Sequence, residues 1–296
     1  MASVIKTRNA ATRLLTAIAV LSGLVLSAAQ AHAATPPPAE APAATAAVLP
    51  VVDMEATVLA AQIDPRRADS TQTPGAHDSV LAVEQALQAR GLLDARWVDG
   101  YFGTTTVSAY AAFQRSLGFS GLDANGLPGT TSLTALGQGR FTLTHQIGPG
   151  AKLQRDGYTV NTRTQNMLTE AERLLGGTHL TLDQGSYNPG GDPTSAGTHD
   201  GGGVVDINVD GMSASTRTAV AQALRQVGFA AWVRNPTQGN WPWHIHAAAI
   251  SDTDLATQAQ NQTGDYYLGL NGLANHGADD GPRIPIQTWE QYQRTH

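Results

Sequence analysis

The chain of 296 residues contains no cysteine. That absence removes a disulfide-stapled scaffold, a thiol nucleophile and a lipid anchor carried on cysteine. A catalytic metal would have to be held by nitrogen and oxygen. Lysine is almost missing as well, with Lys6 and Lys152 the only two. Lys6 lies in the N-terminal segment that is expected to be removed as a signal peptide, and Pro149 stands three residues before Lys152, so the Ser-x-x-Lys arrangement of penicillin-sensitive serine enzymes has no place in the mature chain, and no Gly-x-Ser-x-Gly elbow occurs. Positive charge is scarce: Lys plus Arg number 18 against 24 Asp plus Glu, a net charge of -6. Nucleic acid is therefore not expected as a partner.

A long hydrophobic span is also missing near the N-terminus. Lys6, Arg8 and Arg13 lead into an apolar run from Leu14 to Leu26, too short for the roughly 18 residues that cross a bilayer, and Ala31-His32-Ala33 supplies a small-x-small cleavage pattern. Residues 1–33 are expected to be a signal peptide. The mature protein is expected to be secreted and wall-associated, a monomer with no membrane contact after cleavage. Loss of three basic residues takes the charge to -9, so wall affinity must come from a specific site. Residues 34–76 are rich in Ala and Pro and read as a flexible linker, in which Val48 to Leu59 is an apolar stretch able to dock locally.

Periodic order begins near Ser79. Val80, Val83 and Leu87 predict one amphipathic helix ended by Gly91, and Ala109, Phe113 and Leu117 predict another ended by Gly118. Asp99-Gly100-Tyr101-Phe102-Gly103-Thr104-Thr105-Thr106 recurs 26 residues later as Asn125-Gly126-Leu127-Pro128-Gly129-Thr130-Thr131-Ser132. In each copy the first pair makes a tight turn, the second glycine is expected to take a conformation other residues avoid, and a threonine is expected to cap the next helix. A three-helix unit follows. Together with Val83-Glu84-Gln85-Ala86-Leu87 and Phe113-Gln114, this pattern resembles the peptidoglycan-binding domain of bacterial wall hydrolases over residues 77–138. The resemblance implies peptidoglycan as partner, with Tyr101 and Gln114 as candidate contacts, although both also suit a structural role.

Residues 139–296 read as a second, α+β domain. Thr162 to Leu175 predicts a helix, Leu180 to Leu182 a short strand, Ser213 to Gly228 a helix, and Phe229 to Arg234 and Trp243 to Ile250 two more strands. A Gly-rich loop ends in His199-Asp200-Gly201-Gly202-Gly203, and the strand after it puts Asp206 opposite Val205, Ile207 and Val209. His244 and His246 are two apart on a strand, so both rings project to one side. Zinc takes three such ligands plus an open position for water, and one imidazole is then left over to move a proton. His77, His145, His179, His276 and His296 show no such clustering.

This set resembles zinc peptidases of the D-alanyl-D-alanine carboxypeptidase and lysostaphin type, in which His, six residues, Asp and a later His-x-His recur. The resemblance covers roughly residues 180–250. It implies that His199, Asp206 and His246 are zinc ligands, that His244 is the catalytic base beside the reacting water, and that Gly202 clears space. It further implies an antiparallel central sheet and peptidoglycan stem peptides or cross-bridges as substrate. Two departures stand out. The arginine that relatives place before the first ligand is replaced here by Asp183-Gln184-Gly185-Ser186-Tyr187-Asn188, leaving Gln184 or Tyr187 as hydrogen-bond donors to substrate. The glutamate some relatives carry three before the last ligand is Trp243, which with Trp232 and Trp241 is either core or cleft wall. Tyr266 to Asn275 is too apolar for a loose tail; it either packs on the sheet or lines the groove. Two rival readings remain open: a wall-binding protein whose metal site is structural or vestigial, and a glycan-cleaving enzyme.

Overall fold

The computed structural model describes residues 48–68 and 71–296. The expected signal peptide and the first part of the expected linker lie outside the described residues. No helix among those described is long and apolar enough to cross a membrane.

The later part of the expected linker is not a linker. It forms β1 (Val51–Asp53), α1 (Met54–Ile63) and a 3-10 turn, Asp64–Arg66. Asp53 caps α1 by accepting from the Ala56 amide at 3.1 Å, and Met54, Val58 and Ile63 are fully buried. Apolar residues at this spacing give a helix a face to bury, which the Ala- and Pro-rich average of the surrounding segment conceals.

Three helices follow: α2 (His77–Gln88), α3 (Thr104–Ser116) and α4 (Thr130–Gly137). Val80, Val83 and Leu87 pack with Phe102, Tyr110, Phe113, Leu133 and Leu136. The repeat builds equivalent turns, but with its parts redistributed. The first glycine of each copy has positive φ, 77° at Gly100 and 90° at Gly126, whereas Gly103 and Gly129 are ordinary. No threonine caps a helix here. The N-cap positions are Gly103 and Gly129, Ser132 accepts from the Gly129 amide at 3.2 Å, and Thr106 instead donates to Glu84 at 2.9 Å. β2 (Thr142–Thr144) then pairs in parallel with β1.

The hairpin β3 (Lys152–Arg155) and β4 (Tyr158–Asn161) leads into α5 (Thr162–Leu174), capped by Asn161. The main sheet comprises β5 (Leu182–Gln184), β6 (Val204–Asn208), β7 (Phe229–Arg234) and β8 (His244–Ala249), with α6 (Ala214–Gln226) between β6 and β7. Its order is β5-β6-β8-β7 and every pair is antiparallel, so the fold is α+β with a central antiparallel sheet. α7 (Thr257–Tyr267) and α8 (Trp289–Thr295) complete the chain.

Side-chain alternation gives the sheet two faces of different chemistry. Val205, Ile207, Ile245, Ala247, Phe229 and Ala231 point into a core shared with Met167, Leu168, Val220 and Leu224 of α5 and α6. The opposite face carries polar side chains in register: Gln184, Asp206, His246 and Trp232 form one row across the strands, and Asn208, His244 and Arg234 the next.

The helical module meets the sheet through an apolar cluster of its own, distinct from the core beneath α5 and α6. Val204, Ala248, Leu255 and Ala259 belong to the same cluster as the helices, and the described residues form one compact unit.

Candidate metal centre

Each histidine of the polar face is oriented by an oxygen that can only accept. His199 is fully buried in the turn just before β6, and its Nδ1 lies 2.9 Å from the Gly185 carbonyl. His244 Nδ1 lies 3.0 Å from the Pro242 carbonyl. His246 Nε2 lies 2.8 Å from Gln262 Oε1, and Gln262 in turn donates its amide to Gly272 O at 3.0 Å. A carbonyl oxygen demands a proton on the nitrogen facing it, so the other nitrogen of each ring is a bare lone pair.

Those three lone pairs converge on one carboxylate. Asp206 Oδ1 stands 2.9 Å from His246 Nδ1 and 3.4 Å from His199 Nε2, while Asp206 Oδ2 is 3.9 Å from His244 Nε2. His199 Nε2 is buried and has no hydrogen-bond partner among the described residues. Acceptors facing acceptors at this range repel unless a cation lies between them. The ligand atoms of His199, Asp206 and His246 all fall within 4.8 Å of one another, which is the span of a single ion's coordination shell. The donor set of two neutral nitrogens and one anionic oxygen fits zinc, and the three carbonyl partners are the outer hydrogen bonds that usually hold metal-binding imidazoles in one tautomer.

Burial and mutual attraction compete at these groups. Burial pushes the Asp206 carboxyl up, but the adjoining His199 and His246 outweigh it and hold the group well below the usual carboxylate range. Burial also opposes charge on His199, yet Asp206 wins and its pKa rises. For His246, burial wins over Asp206, with His199 and Arg234 adding to it, so its pKa falls.

The set lies in a cleft of about 600 Å³, a size suited to a small ligand or a short peptide. Its walls include Gln184, Arg234, Trp241 and Leu273 to Asn275. The Tyr266 to Asn275 segment thus does both things expected of it. Tyr266 packs edge-on against Trp232, with centroids 5.6 Å apart, and the following residues line the cleft.

Of the three residues expected to bind substrate, Gln184 lines this cleft and its buried Nε2 has no partner among the described residues. Tyr187 does not. Its φ of 58° turns it into a second cleft at the seam with the helical module, where its hydroxyl donates to Asp254 Oδ2 at 2.6 Å. Trp243 does not either. It packs against the α5 and α6 core beneath Arg217, whose guanidinium lies 3.7 Å above its ring. Trp232 is buried and stacks on His246, and Trp241 is the tryptophan of the cleft wall.

In the helical module the two candidate contacts serve the fold. Tyr101 is buried, and its hydroxyl meets the Asp64 and Arg67 carbonyls. Gln114 donates to Leu127 O at 2.8 Å and accepts from the Gly126 amide at 2.9 Å, which holds the second repeat turn.

The glycines after His199 are required by close approach. A Cβ at Gly202 would stand 2.5 Å from the Tyr187 hydroxyl, and Gly203, at φ 77°, would bring one to 2.8 Å from Asp252.

Sequence reasoning missed two residues. Gln262 lies on α7, 16 residues beyond His246 and past the segment that carries the motif. Arg234 ends β7, directly opposite His244, and is 3% exposed. Burial brings its pKa down to about 10, against the pull of Asp206, Asp280 and Asp279.

No curated protein and no solved structure matches the chain. Residues 76–136 match the family model described as a putative peptidoglycan binding domain, which supports peptidoglycan as a partner and association with the cell wall.

Proposed function

We propose that the chain is a zinc-dependent peptidase acting on peptidoglycan peptides, with His199, Asp206 and His246 as ligands. The observation that supports this most directly is the convergence of bare imidazole nitrogens on Asp206, each fixed from behind by a carbonyl oxygen. A zinc ion held there would polarise a scissile carbonyl and make a water nucleophilic at neutral pH.

The chain's own residues supply the rest. His244 presents Nε2 to the cleft and keeps Nδ1–H on Pro242 O, so it can take a proton at Nε2 and return it to the leaving amine without turning. Gln184 offers an unpaired amide donor to a substrate carbonyl. The peptidoglycan-binding module shares an apolar cluster with the sheet and holds the cleft close to its polymer.

Protein purified without chelator is expected to carry one zinc per chain. His199→Ala should lose it, and His244→Gln should keep it while failing to release amino groups from purified wall sacculi. Release of reducing sugar instead would indicate a glycan-cleaving enzyme. Co-sedimentation with sacculi and no release of either kind by the zinc-loaded protein would leave a binding protein only.

A further inference from the structure

Four arginines are buried among the described residues: Arg155, Arg163, Arg225 and Arg234. Three of them meet a carboxylate. Arg155 pairs with Glu172 at 2.5 Å, Arg163 with Glu290 at 2.8 Å and Arg225 with Asp279 at 2.9 Å. Arg234 has none. Its Nη2 is buried without a hydrogen-bond partner among the described residues, and the Trp232 ring centroid lies 5.2 Å from the guanidinium carbon. An arginine withdrawn from water and left unpaired is costly, so its retention in a cleft points to an anion that arrives from outside.

The surroundings say where that anion belongs. Among the described residues Arg234 is the only lysine or arginine lining the cleft, whose carboxylates are Asp183, Asp192 and Asp206. Apart from Arg234 and the metal that the histidines would hold, the fixed charges along these walls are acidic. Arg234 and His244 are paired across β7 and β8 on the polar face of the sheet. Directly opposed residues have Cβ atoms roughly 5 Å apart, so the arginine is rooted beside the imidazole that would handle the proton. A substrate whose scissile carbonyl lies at the His199, Asp206 and His246 cluster would thus bring the end of its next residue to the guanidinium.

We propose that Arg234 is the receptor for the free C-terminal carboxylate of the substrate, so the site takes peptides that end one residue beyond the cleaved bond. This rests on the peptidase reading and selects carboxypeptidase over endopeptidase action within it. The planar fork of a guanidinium matches a carboxylate bidentately, whereas a cross-bridge continuing past the site presents a neutral amide in that place.

The test needs no turnover. Binding of acyl-D-alanyl-D-alanine and of its C-terminal amide to the full chain is measured by calorimetry after the zinc has been quantified and removed, so that the acid is not turned over. The acid should bind at least tenfold more tightly than the amide. Arg234→Gln should abolish the preference, and Arg234→Lys should keep part of it. Equal affinity for acid and amide in the wild-type protein, or binding of neither, would overturn the proposal, and that comparison does not depend on any variant folding. The metal content of the same samples tests the peptidase reading separately. A preference for the acid in a protein that takes up no zinc would keep the anion receptor and discard the catalysis.

Discussion

Replacing Gln262 with leucine tests whether the carbonyls behind the histidines are part of a metal site or only of the packing. Gln262 Oε1 holds the Nε2 proton of His246 at 2.8 Å, and its amide is anchored on Gly272 O, so the orientation of the side chain is fixed from both ends. Leucine keeps the volume and removes the acceptor. The His246 proton is then free to move to Nδ1, the atom that faces Asp206 at 2.9 Å and that coordination would use. Loss of such an outer partner costs roughly 10- to 100-fold in metal affinity, about 1.4 to 2.7 kcal/mol. Zinc affinity measured by competition with a chromophoric chelator should fall by that factor, while His199→Ala should fall much further. Nitrogen-15 spectra of the metal-free protein should show the His246 tautomer change. If Gln262→Leu leaves both the tautomer and the zinc affinity within twofold of wild type, the inference that these carbonyls prepare the imidazoles for a metal fails.

Two further predictions concern the helical half. Met54 is fully buried where a flexible linker was expected, so Met54→Ala should cost about 3 kcal/mol and lower the melting temperature by roughly 6 to 12 °C; an unchanged melting temperature would show that α1 does not contribute to the core. Glu84 is buried, and burial, opposed by hydrogen bonds from Gly100, Thr106 and Asp99, pushes its pKa up to about 7. The folded state therefore binds a proton there that the unfolded chain releases near pH 4.5. This contribution, of order 3 kcal/mol, is fully present below pH 4.5 and lost as pH rises to about 7. Urea unfolding at a series of pH values should show that slope in wild type and a flatter one in Glu84→Gln, and equal slopes would refute it.

The sheet was legible because its signal is local. Alternation along Phe229–Arg234 and His244–Ala249 marks the strands, and His-x-His on one of them already puts both rings on one face. The same parity rule also carried information about two residues whose roles were misread or missed. Trp243 shares its parity with Ile245, which faces the covered side, and Arg234 shares its parity with Trp232, which does not. Converting parity into a cleft, however, requires the β6-β8-β7 register, and no single strand encodes that. Tyr187 was misplaced for a different reason, because a positive φ in an irregular loop reverses a side chain without any periodic mark. α1 was concealed by averaging, since its ten residues, eight of them buried, follow a run dominated by alanine and proline. Gln262 had no signal, because its link to His246 exists only once α7 crosses the sheet.

The N-terminal arm formed by β1, α1 and the 3-10 turn after it is mechanically related to the candidate metal centre even though α1 does not line the cleft. Gln62 donates to Asp252 O at 3.3 Å and accepts from the Ser251 amide at 3.0 Å, just after β8. Arg66 pairs with Asp265 on α7 at 2.6 Å, and Glu55 pairs with Arg294 on α8 at 2.8 Å. These contacts bracket the segment that delivers Gln262 to His246. A substitution in the arm should therefore be felt at the cleft through the position of α7, without any arm residue touching a ligand. Because Val52, Met54 and Val58 lie in the same apolar cluster as Val204 and Ala248, the peptidoglycan-binding module, the arm and the sheet form one body. Engagement of the wall by the module then fixes the direction in which the cleft faces, rather than only its average distance from the polymer, as a flexible tether would.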